Sequence, residues 1–191
     1  MNQKVLNDMK NFNWQKIIEI GNGLTDLDNQ QWRFIKGLVV EKATAKNSGK
    51  DGLVYVGSDK DHMDFNWPKH NVTVELKSIF SETLYTKKDQ LREKEYNILF
   101  NNSNGSNKLD KLVKEQVADY LIVVTSDGAF VVDQDTVIKK ADSEGDGFKL
   151  KVKIKDVVRL TDNKIIVENA KCLGLRKVLE DAIDKMLDSV Q

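Results

Sequence analysis

HMDFNWPKHNVTVELK, residues 62–77, is the stretch of this sequence that decides the fold. Residues 62–65 predict a short strand, and residues 72–77 predict a second strand because apolar and polar side chains alternate along them. Residues 66–71 lie between the two and contain the chain's only proline, which favours a turn. The stretch therefore predicts two strands that can pair as a hairpin.

The second predicted strand has two different faces, because residues two apart on a strand point the same way. Its apolar face, directed into the core, holds Val72, Val74 and Leu76, and its polar face holds Thr73, Glu75 and Lys77. A hairpin brings Asp64, on the first strand, close to Glu75. Two carboxylates and a lysine are thereby directed at one point.

This combination suits the hydrolysis of a phosphodiester. A divalent metal held by carboxylates neutralises the phosphate and acidifies a bound water, and a nearby ammonium stabilises charge or orients the attacking water. Asp64 and Glu75 are the predicted carboxylate ligands, and the main-chain carbonyl of Leu76 is a candidate third ligand for a hard cation.

A simpler interpretation of the same strand is that Thr73, Glu75 and Lys77 keep one face of a sheet in contact with solvent. The acid-x-lysine pattern also occurs at residues 8–10, in a predicted helix, and at residues 162–164, in a predicted turn. Only residues 75–77 lie on an alternating strand with an aspartate on the strand before.

The surrounding pattern predicts an α/β (α+β) fold with a central mixed β-sheet flanked by helices. A continuous apolar run predicts a strand buried on both faces at residues 119–124. Further strands are predicted at residues 53–56, 129–132, 148–155 and 164–167. Helices are predicted at residues 5–20, 28–46, 87–96, 109–117 and 173–190, and the helix at 28–46 is expected to be mostly buried.

Asp64, ten intervening residues and then Glu75-Leu76-Lys77 resemble the motif of the PD-(D/E)xK nuclease superfamily, to which most type II restriction enzymes belong. The order of elements over roughly residues 30–132 is also similar. The resemblance implies a restriction-endonuclease-like core. It also implies that Asp64 and Glu75 bind Mg²⁺, that Lys77 activates or positions water, and that Glu41 assists through a water.

The sequence departs from the family at one position, because Met63 stands where the family usually has proline before the aspartate. Asp61 therefore remains an alternative to Asp64.

Type II restriction enzymes cut double-stranded DNA at short sites to give 5′-phosphate and 3′-hydroxyl ends. One active site cuts one strand, so a palindromic site calls for a twofold homodimer, with the first or the C-terminal helix as the candidate interface.

Two segments after the motif are candidate DNA contacts. The predicted helix at 87–96 carries a basic cluster that suits phosphates, and the polar loop at 101–108 carries amides that suit bases. The candidate residues are Lys87, Lys88, Arg92, Asn102, Asn104, Asn107 and Lys108. A solvated helix face and an ordinary loop explain the same residues.

Four lysines alternate along residues 148–155. The favoured interpretation is an exposed strand whose lysines prevent edge-to-edge pairing with other chains.

Composition limits the other possibilities. The 191 residues, 40% of them apolar, predict one domain, with an N-terminal helical segment (1–28) packed on a catalytic core (29–191). One cysteine and two histidines argue against a disulfide or a zinc centre. Thirty basic and thirty acidic residues argue against a protein that coats DNA. The lack of any signal-like or membrane-spanning stretch favours a cytoplasmic protein.

Three other functions remain open. A repair or junction-resolving nuclease has the same chemistry but usually a larger basic surface than this neutral chain. A cleavage subunit of a heterodimeric restriction enzyme is a second alternative. A non-catalytic DNA- or protein-binding module with this fold is the third, and the intact set of Asp64, Glu75 and Lys77 counts against it.

Overall fold

The computed structural model confirms a mixed sheet with flanking helices, an α+β fold. It describes residues 1–27, 32–57, 63–80, 95–100, 118–126, 128–144, 147–153, 157–161 and 174–189. In these ranges the helices are α1 (Gln3–Lys10), α2 (Trp14–Asn22), α3 (Arg33–Asn47), α4 (Gln134–Lys140) and α5 (Leu175–Asp188), with a 3-10 turn at Thr25–Leu27.

Nine strands form two sheets in the described part of the chain. The strands are β1 (Val54–Tyr55), β2 (Phe65–Trp67), β3 (Val72–Ile79), β4 (Glu95–Phe100), β5 (Tyr120–Thr125), β6 (Gly128–Asp133), β7 (Ala141–Glu144), β8 (Gly147–Lys153) and β9 (Val158–Arg159). The large sheet has the order β1-β2-β3-β5-β6-β9, and the small sheet has the order β4-β8-β7.

β3 and β5 form the centre of the large sheet. They pair in parallel, whereas every other pair in this sheet is antiparallel. All six residues of β5 are buried, as predicted for a strand covered on both faces. At the start of the pair, Asp119 Oδ2 accepts hydrogen bonds from Thr73 N (2.7 Å) and Thr73 Oγ1 (3.0 Å), which fixes the parallel register.

The predicted hairpin is present as β2 and β3, with Phe65 opposite Val74. Residues 68–71 make the turn between them, and Asn71 adopts a left-handed φ of 52° there, a conformation that asparagine tolerates better than most residues. The first strand begins at Phe65 rather than at residue 62. The hydrogen bonding between the two strands continues to Asp64, whose N–H donates to Val74 O at 3.1 Å.

The N-terminal helices bury their apolar faces against the large sheet. Met9, Ile17 and Ile18 are inaccessible to solvent and belong to the same core as Phe65 and Trp67. At about 25 cal/mol per Å² of apolar surface, side chains of this size each contribute roughly 1.5–3 kcal/mol when fully buried.

The prediction of one continuous helix at 5–20 is wrong, because the chain breaks at residues 11–13. Asn13 Oδ1 accepts a hydrogen bond from Lys16 N (3.1 Å), so it caps a new helix. The Trp14 indole N–H donates to Met9 O (2.8 Å), which ties the two helices together across the break.

Other predicted elements differ in extent or surroundings. α3 begins at Arg33, and Phe34 in its first turn is 70% exposed, so the expectation that this helix is mostly buried fails on that side. Residues 95 and 96, predicted as helix, begin β4. β8 is the middle strand of the small sheet, so the interpretation of its lysines as protection for an edge is wrong.

Several sequence predictions fall outside the described residues, namely the helices at 87–94 and 109–117, the loop at 101–108 and the strand at 164–167. Among the described residues, no helix combines the length and apolar character needed to cross a bilayer.

Gly21 in α2 allows the helix to approach Phe80, the residue after β3. A Cβ at Gly21 would lie 2.1 Å from Phe80 Cζ, whereas a Cβ at Gly37 in α3 would have no atom nearer than 3.8 Å. We expect Gly21→Ala to lower the free energy of unfolding by about 1–3 kcal/mol through overpacking. Gly37→Ala should be neutral or stabilising, because alanine favours a helix. Urea unfolding measures both, and equal stabilities would contradict the predicted clash.

Candidate active site

Asp64 lies directly before β2 and is 1% exposed. Its backbone is held on both sides, because its N–H donates to Val74 O and its carbonyl accepts from Val56 N (3.0 Å). Its side chain is held as well, since Oδ2 accepts a hydrogen bond from Leu76 N at 2.7 Å. The carboxyl group is therefore fixed against the centre of β3.

Glu75 occupies the middle of β3 and is also 1% exposed. The Lys77 ammonium donates a hydrogen bond to Glu75 Oε1. The interpretation of Thr73, Glu75 and Lys77 as a solvent-facing strand is therefore wrong for Glu75. The strand face that alternation predicted to be polar carries a buried carboxylate paired with a lysine.

The charge of Glu75 acts on its buried neighbour Asp64. Burial, reinforced by the negative charge of Glu75, raises the pKa of Asp64 from 3.8 to about 8. The Lys77 ammonium and the Leu76 N–H oppose this rise but do not cancel it. Two acids in water-poor surroundings favour either a bound proton or a bound cation.

Lys77 keeps its positive charge in this environment. Burial by itself lowers its pKa, but the charges of Glu75 and Asp64 outweigh this effect, and the pKa of Lys77 lies above its ordinary value of 10.5. An ammonium that stays protonated acts as a hydrogen-bond donor and a positive charge, not as a base.

Glu41 contributes a third negative charge from α3. It is partly buried, and its charge raises the pKa values of both Asp64 and Lys77. Position 37 lies one turn earlier on the same face, since a Cβ added to Gly37 would lie 3.8 Å from Glu41 Oε1. Glu41 is therefore close enough for its charge to act on both groups, and its expected role through a water stays a prediction.

Two oxygen-donating carboxylates at one place suit a hard cation such as Mg²⁺. Among the described residues, no three acidic, histidine or cysteine side chains are grouped closely enough to form a metal site by themselves. Mg²⁺ commonly uses one or two carboxylates and completes its shell with water. Asp64 and Glu75, with the Leu76 carbonyl as a candidate third ligand, fit that requirement.

The remaining predicted site residues lie outside the described ranges: Asp61, Lys87, Lys88, Arg92, Asn102, Asn104, Asn107 and Lys108. One contribution was missed, namely that the Leu76 N–H holds Asp64; the expected role of the Leu76 carbonyl as a ligand stays a prediction. A hairpin that turns at residues 68–71 places Asp64 opposite Glu75 and next to this N–H. The position of the turn in the sequence could therefore have predicted this hydrogen bond.

The raised pKa of Asp64 predicts how stability depends on pH. Between about pH 4 and pH 8 the folded chain retains a proton that the unfolded chain has released, so the free energy of unfolding of the metal-free protein should fall as pH rises. The contribution of one group is at most about 1.4 kcal/mol per pH unit. Asp64→Asn should remove this part of the slope.

Urea unfolding in excess chelator, at intervals from pH 5 to pH 9, measures the effect. Asp8→Asn is the control, because hydrogen bonds from Lys69 and His70 hold the pKa of Asp8 below its ordinary value. Its loss should not flatten the profile. Parallel profiles for wild type and Asp64→Asn would show that Asp64 is not titrating as described.

Comparison with known proteins supplies no family for this arrangement: no protein-family model matches the chain, and no curated protein is significantly similar to it.

Proposed function

We propose that the protein is a Mg²⁺-dependent endonuclease that cuts double-stranded DNA at a specific site, in the manner of a type II restriction enzyme. The observation that carries the proposal is the buried pair of Asp64, directly before β2, and Glu75 on β3, with the Lys77 ammonium on Glu75. The resemblance of these residues to the PD-(D/E)xK motif supports the choice of phosphodiester hydrolysis over other metal-assisted reactions.

In this proposal Asp64 and Glu75 hold the cation through carboxylate oxygens, and the Leu76 carbonyl is the third protein ligand. When bound, the cation supplies positive charge to the scissile phosphate and lowers the pKa of water. The Leu76 N–H keeps the Asp64 carboxylate oriented. Lys77 donates a hydrogen bond that positions the attacking water and stabilises negative charge at the phosphate. Glu41 orients a further water.

Burial of the carboxylates supports this role in a second way. Like charges in water-poor surroundings repel strongly, so the metal-free site is destabilised unless a proton or cation is present. Rigid strands hold both groups in place before substrate arrives, which lowers the cost of organising the site. A purely structural pair of acids would gain nothing from this arrangement.

The proposal also covers the oligomeric state, the DNA contacts, the products and the cellular location of the protein. Cutting both strands of a palindromic site calls for a homodimer. Lys87, Lys88, Arg92 and the loop residues Asn102, Asn104, Asn107 and Lys108 are the proposed DNA contacts. Products would carry 5′-phosphate and 3′-hydroxyl ends. The cytoplasm, where DNA and Mg²⁺ are both available to a restriction enzyme, is the proposed location.

Cleavage of a long double-stranded DNA of known sequence tests the function. Mg²⁺ or Mn²⁺ should give discrete fragments on a gel, and Ca²⁺ should support binding without cleavage because its looser shell organises water poorly. Excess chelator should abolish cleavage. Full activity in chelator would refute the mechanism, a smear would indicate a non-specific nuclease, and intact DNA under all conditions would favour a binding module.

Substitution at the site separates metal binding from chemistry. Lys77→Ala should reduce cleavage by at least about a hundredfold yet retain DNA binding, because the interaction lost belongs to the transition state. Asp64→Asn should also abolish cleavage and should remove the rise in melting temperature that Mg²⁺ or Ca²⁺ produces in wild type.

Two matched controls accompany these variants. Lys10→Ala changes the lysine of one of the two other acid-x-lysine sequences, the one in α1, and should leave cleavage unchanged. Asp61→Asn should remain active, because the hairpin assigns the metal ligand to Asp64. An inactive Asp61→Asn alongside an active Asp64→Asn would show that the wrong aspartate had been chosen.

A further inference from the structure

Phe34, in the first turn of α3, is the most exposed large apolar side chain in the described part of the chain. It is 70% exposed, and it is the only aromatic residue among the large apolar side chains that are exposed there. A single exposed apolar residue is ordinary on a protein surface. The meaning of Phe34 therefore depends on what lies around it.

The neighbour that connects Phe34 to the candidate active site is Glu41. Seven residues advance an α-helix by about 700°, so Phe34 and Glu41 lie within about 20° of each other on α3, roughly 10 Å apart along its axis. The charge of Glu41 acts on both Asp64 and Lys77. Ala43, on the opposite side of the helix, is buried. Phe34 therefore shares the side of α3 that carries the candidate site residue.

The surface between these two residues is open. Gly37 lies between Phe34 and Glu41 along α3, and a Cβ added to Gly37 would have no atom nearer than Glu41 Oε1, at 3.8 Å. A position without a side chain lets the backbone of a ligand come close to the helix. A long ligand can therefore lie along α3 from the ring to the acid.

α3 also carries an excess of positive charge in a chain whose net charge is zero. Glu41 is its only acid, whereas its basic residues are Arg33, Lys36, Lys42 and Lys46. Lys42 is exposed and lies about 80° round the helix from Phe34. Its Nζ is 4.6 Å from the centre of the Tyr55 ring on β1, the strand next to the hairpin, and this contact holds the ammonium in place. A helix with this charge balance suits a polyanion.

We propose that Phe34 is a DNA-contacting residue, which stacks on a base about three nucleotides from the bond that is cut, while Lys42 contacts a backbone phosphate. Successive nucleotides of one strand are about 3.4 Å apart along the DNA axis, so the roughly 10 Å between Phe34 and Glu41 corresponds to about three of them. This inference rests on the proposed function, because it takes DNA to be the substrate of that site.

The chemistry of DNA fits both groups. Every base has a flat face on which an aromatic side chain can stack, and apolar side chains reach such faces in a duplex by opening one base step. A second protein surface fits less well, because one exposed ring surrounded by charges is small beside a standard interface of roughly 800 Å² per partner. DNA is therefore the occupant that the ring and the charges of α3 favour together.

The first test measures DNA affinity in Ca²⁺ and cleavage in Mg²⁺ on the long DNA of known sequence. Phe34→Ala should weaken binding about five- to 150-fold, because one stacked base is lost. Phe34→Trp should restore binding, whereas Phe34→Leu, which has no ring, should not. Ile138→Ala in α4, which changes another exposed apolar residue, should match wild type. Urea unfolding should be unchanged in all four variants, which excludes misfolding.

A fluorescent base locates the contact. The adenine analogue 2-aminopurine, placed in turn within about five nucleotides of the cut bond, should change its fluorescence on binding of wild type in Ca²⁺ at about the third position. Phe34→Ala should abolish this change. A signal that persists in Phe34→Ala, or binding by Phe34→Leu as tight as by wild type, overturns the stacking contact.

Salt dependence tests the phosphate contact. Each phosphate contact contributes about 0.9 to the slope of log affinity against log salt concentration, so Lys42→Ala should reduce the slope by about that amount. Lys10→Ala, which changes an exposed lysine in α1, should leave the slope unchanged. An unchanged slope in Lys42→Ala overturns the contact assigned to Lys42.

The outcomes separate this inference from the proposed nuclease function. A wild type that cuts DNA, together with Phe34→Ala that binds and cuts equally well, overturns the contact and keeps the nuclease. A wild type that binds DNA through Phe34 without cutting it keeps the contact and rejects the nuclease. A wild type that neither binds nor cuts DNA overturns both. A wild-type dimer that Phe34→Ala converts to a monomer in sedimentation assigns Phe34 to a protein interface and overturns the DNA contact.

Discussion

The two buried carboxylates of Asp64 and Glu75 are the constraint around which the rest of the structure is arranged. Their like charges repel each other where water cannot screen them, and the chain compensates with the Leu76 N–H on Asp64 and the Lys77 ammonium on Glu75. Both partners lie on β3, so the groups that oppose the repulsion are fixed by one strand. β3 is itself paired on both sides, with β2 and with fully buried β5, so the ladders on both of its edges hold it in place.

This arrangement places the stability of the fold in opposition to the proposed function of the site. Replacing the acid pair with apolar residues would often stabilise a protein, because desolvated charges are costly to maintain. Retaining it has a physical advantage only where a cation or proton is expected to occupy the site. Residues of α1 and α2 share one apolar core with the hairpin residues Phe65 and Trp67, and this core stabilises a fold that tolerates the costly acid pair.

The sequence predicted the elements that carry the site because each has a strong local pattern. Alternation defines β3, a continuous apolar run defines β5, and Pro68 marks the turn, so the pairing of Asp64 with Glu75 followed. The helix break at residues 11–13 was missed because Asn13 acts through a side-chain cap that apolar spacing does not register. The lysines of β8 were misinterpreted because alternation indicates a face but not how many neighbours a strand has. The burial of Glu75 was not predictable from the strand itself, since it depends on elements distant in sequence.

The turn at residues 68–71 separates the two carboxylates along the chain but contributes neither of them. Surface turns accept insertions and deletions readily, whereas a one-residue shift within β2 or β3 would direct every side chain to the opposite face. Over evolutionary time the number of residues between Asp64 and Glu75 is therefore free to drift, while the position of each acid relative to its own strand is not. Relatives of this chain would be found more reliably by strand register than by a fixed interval in sequence.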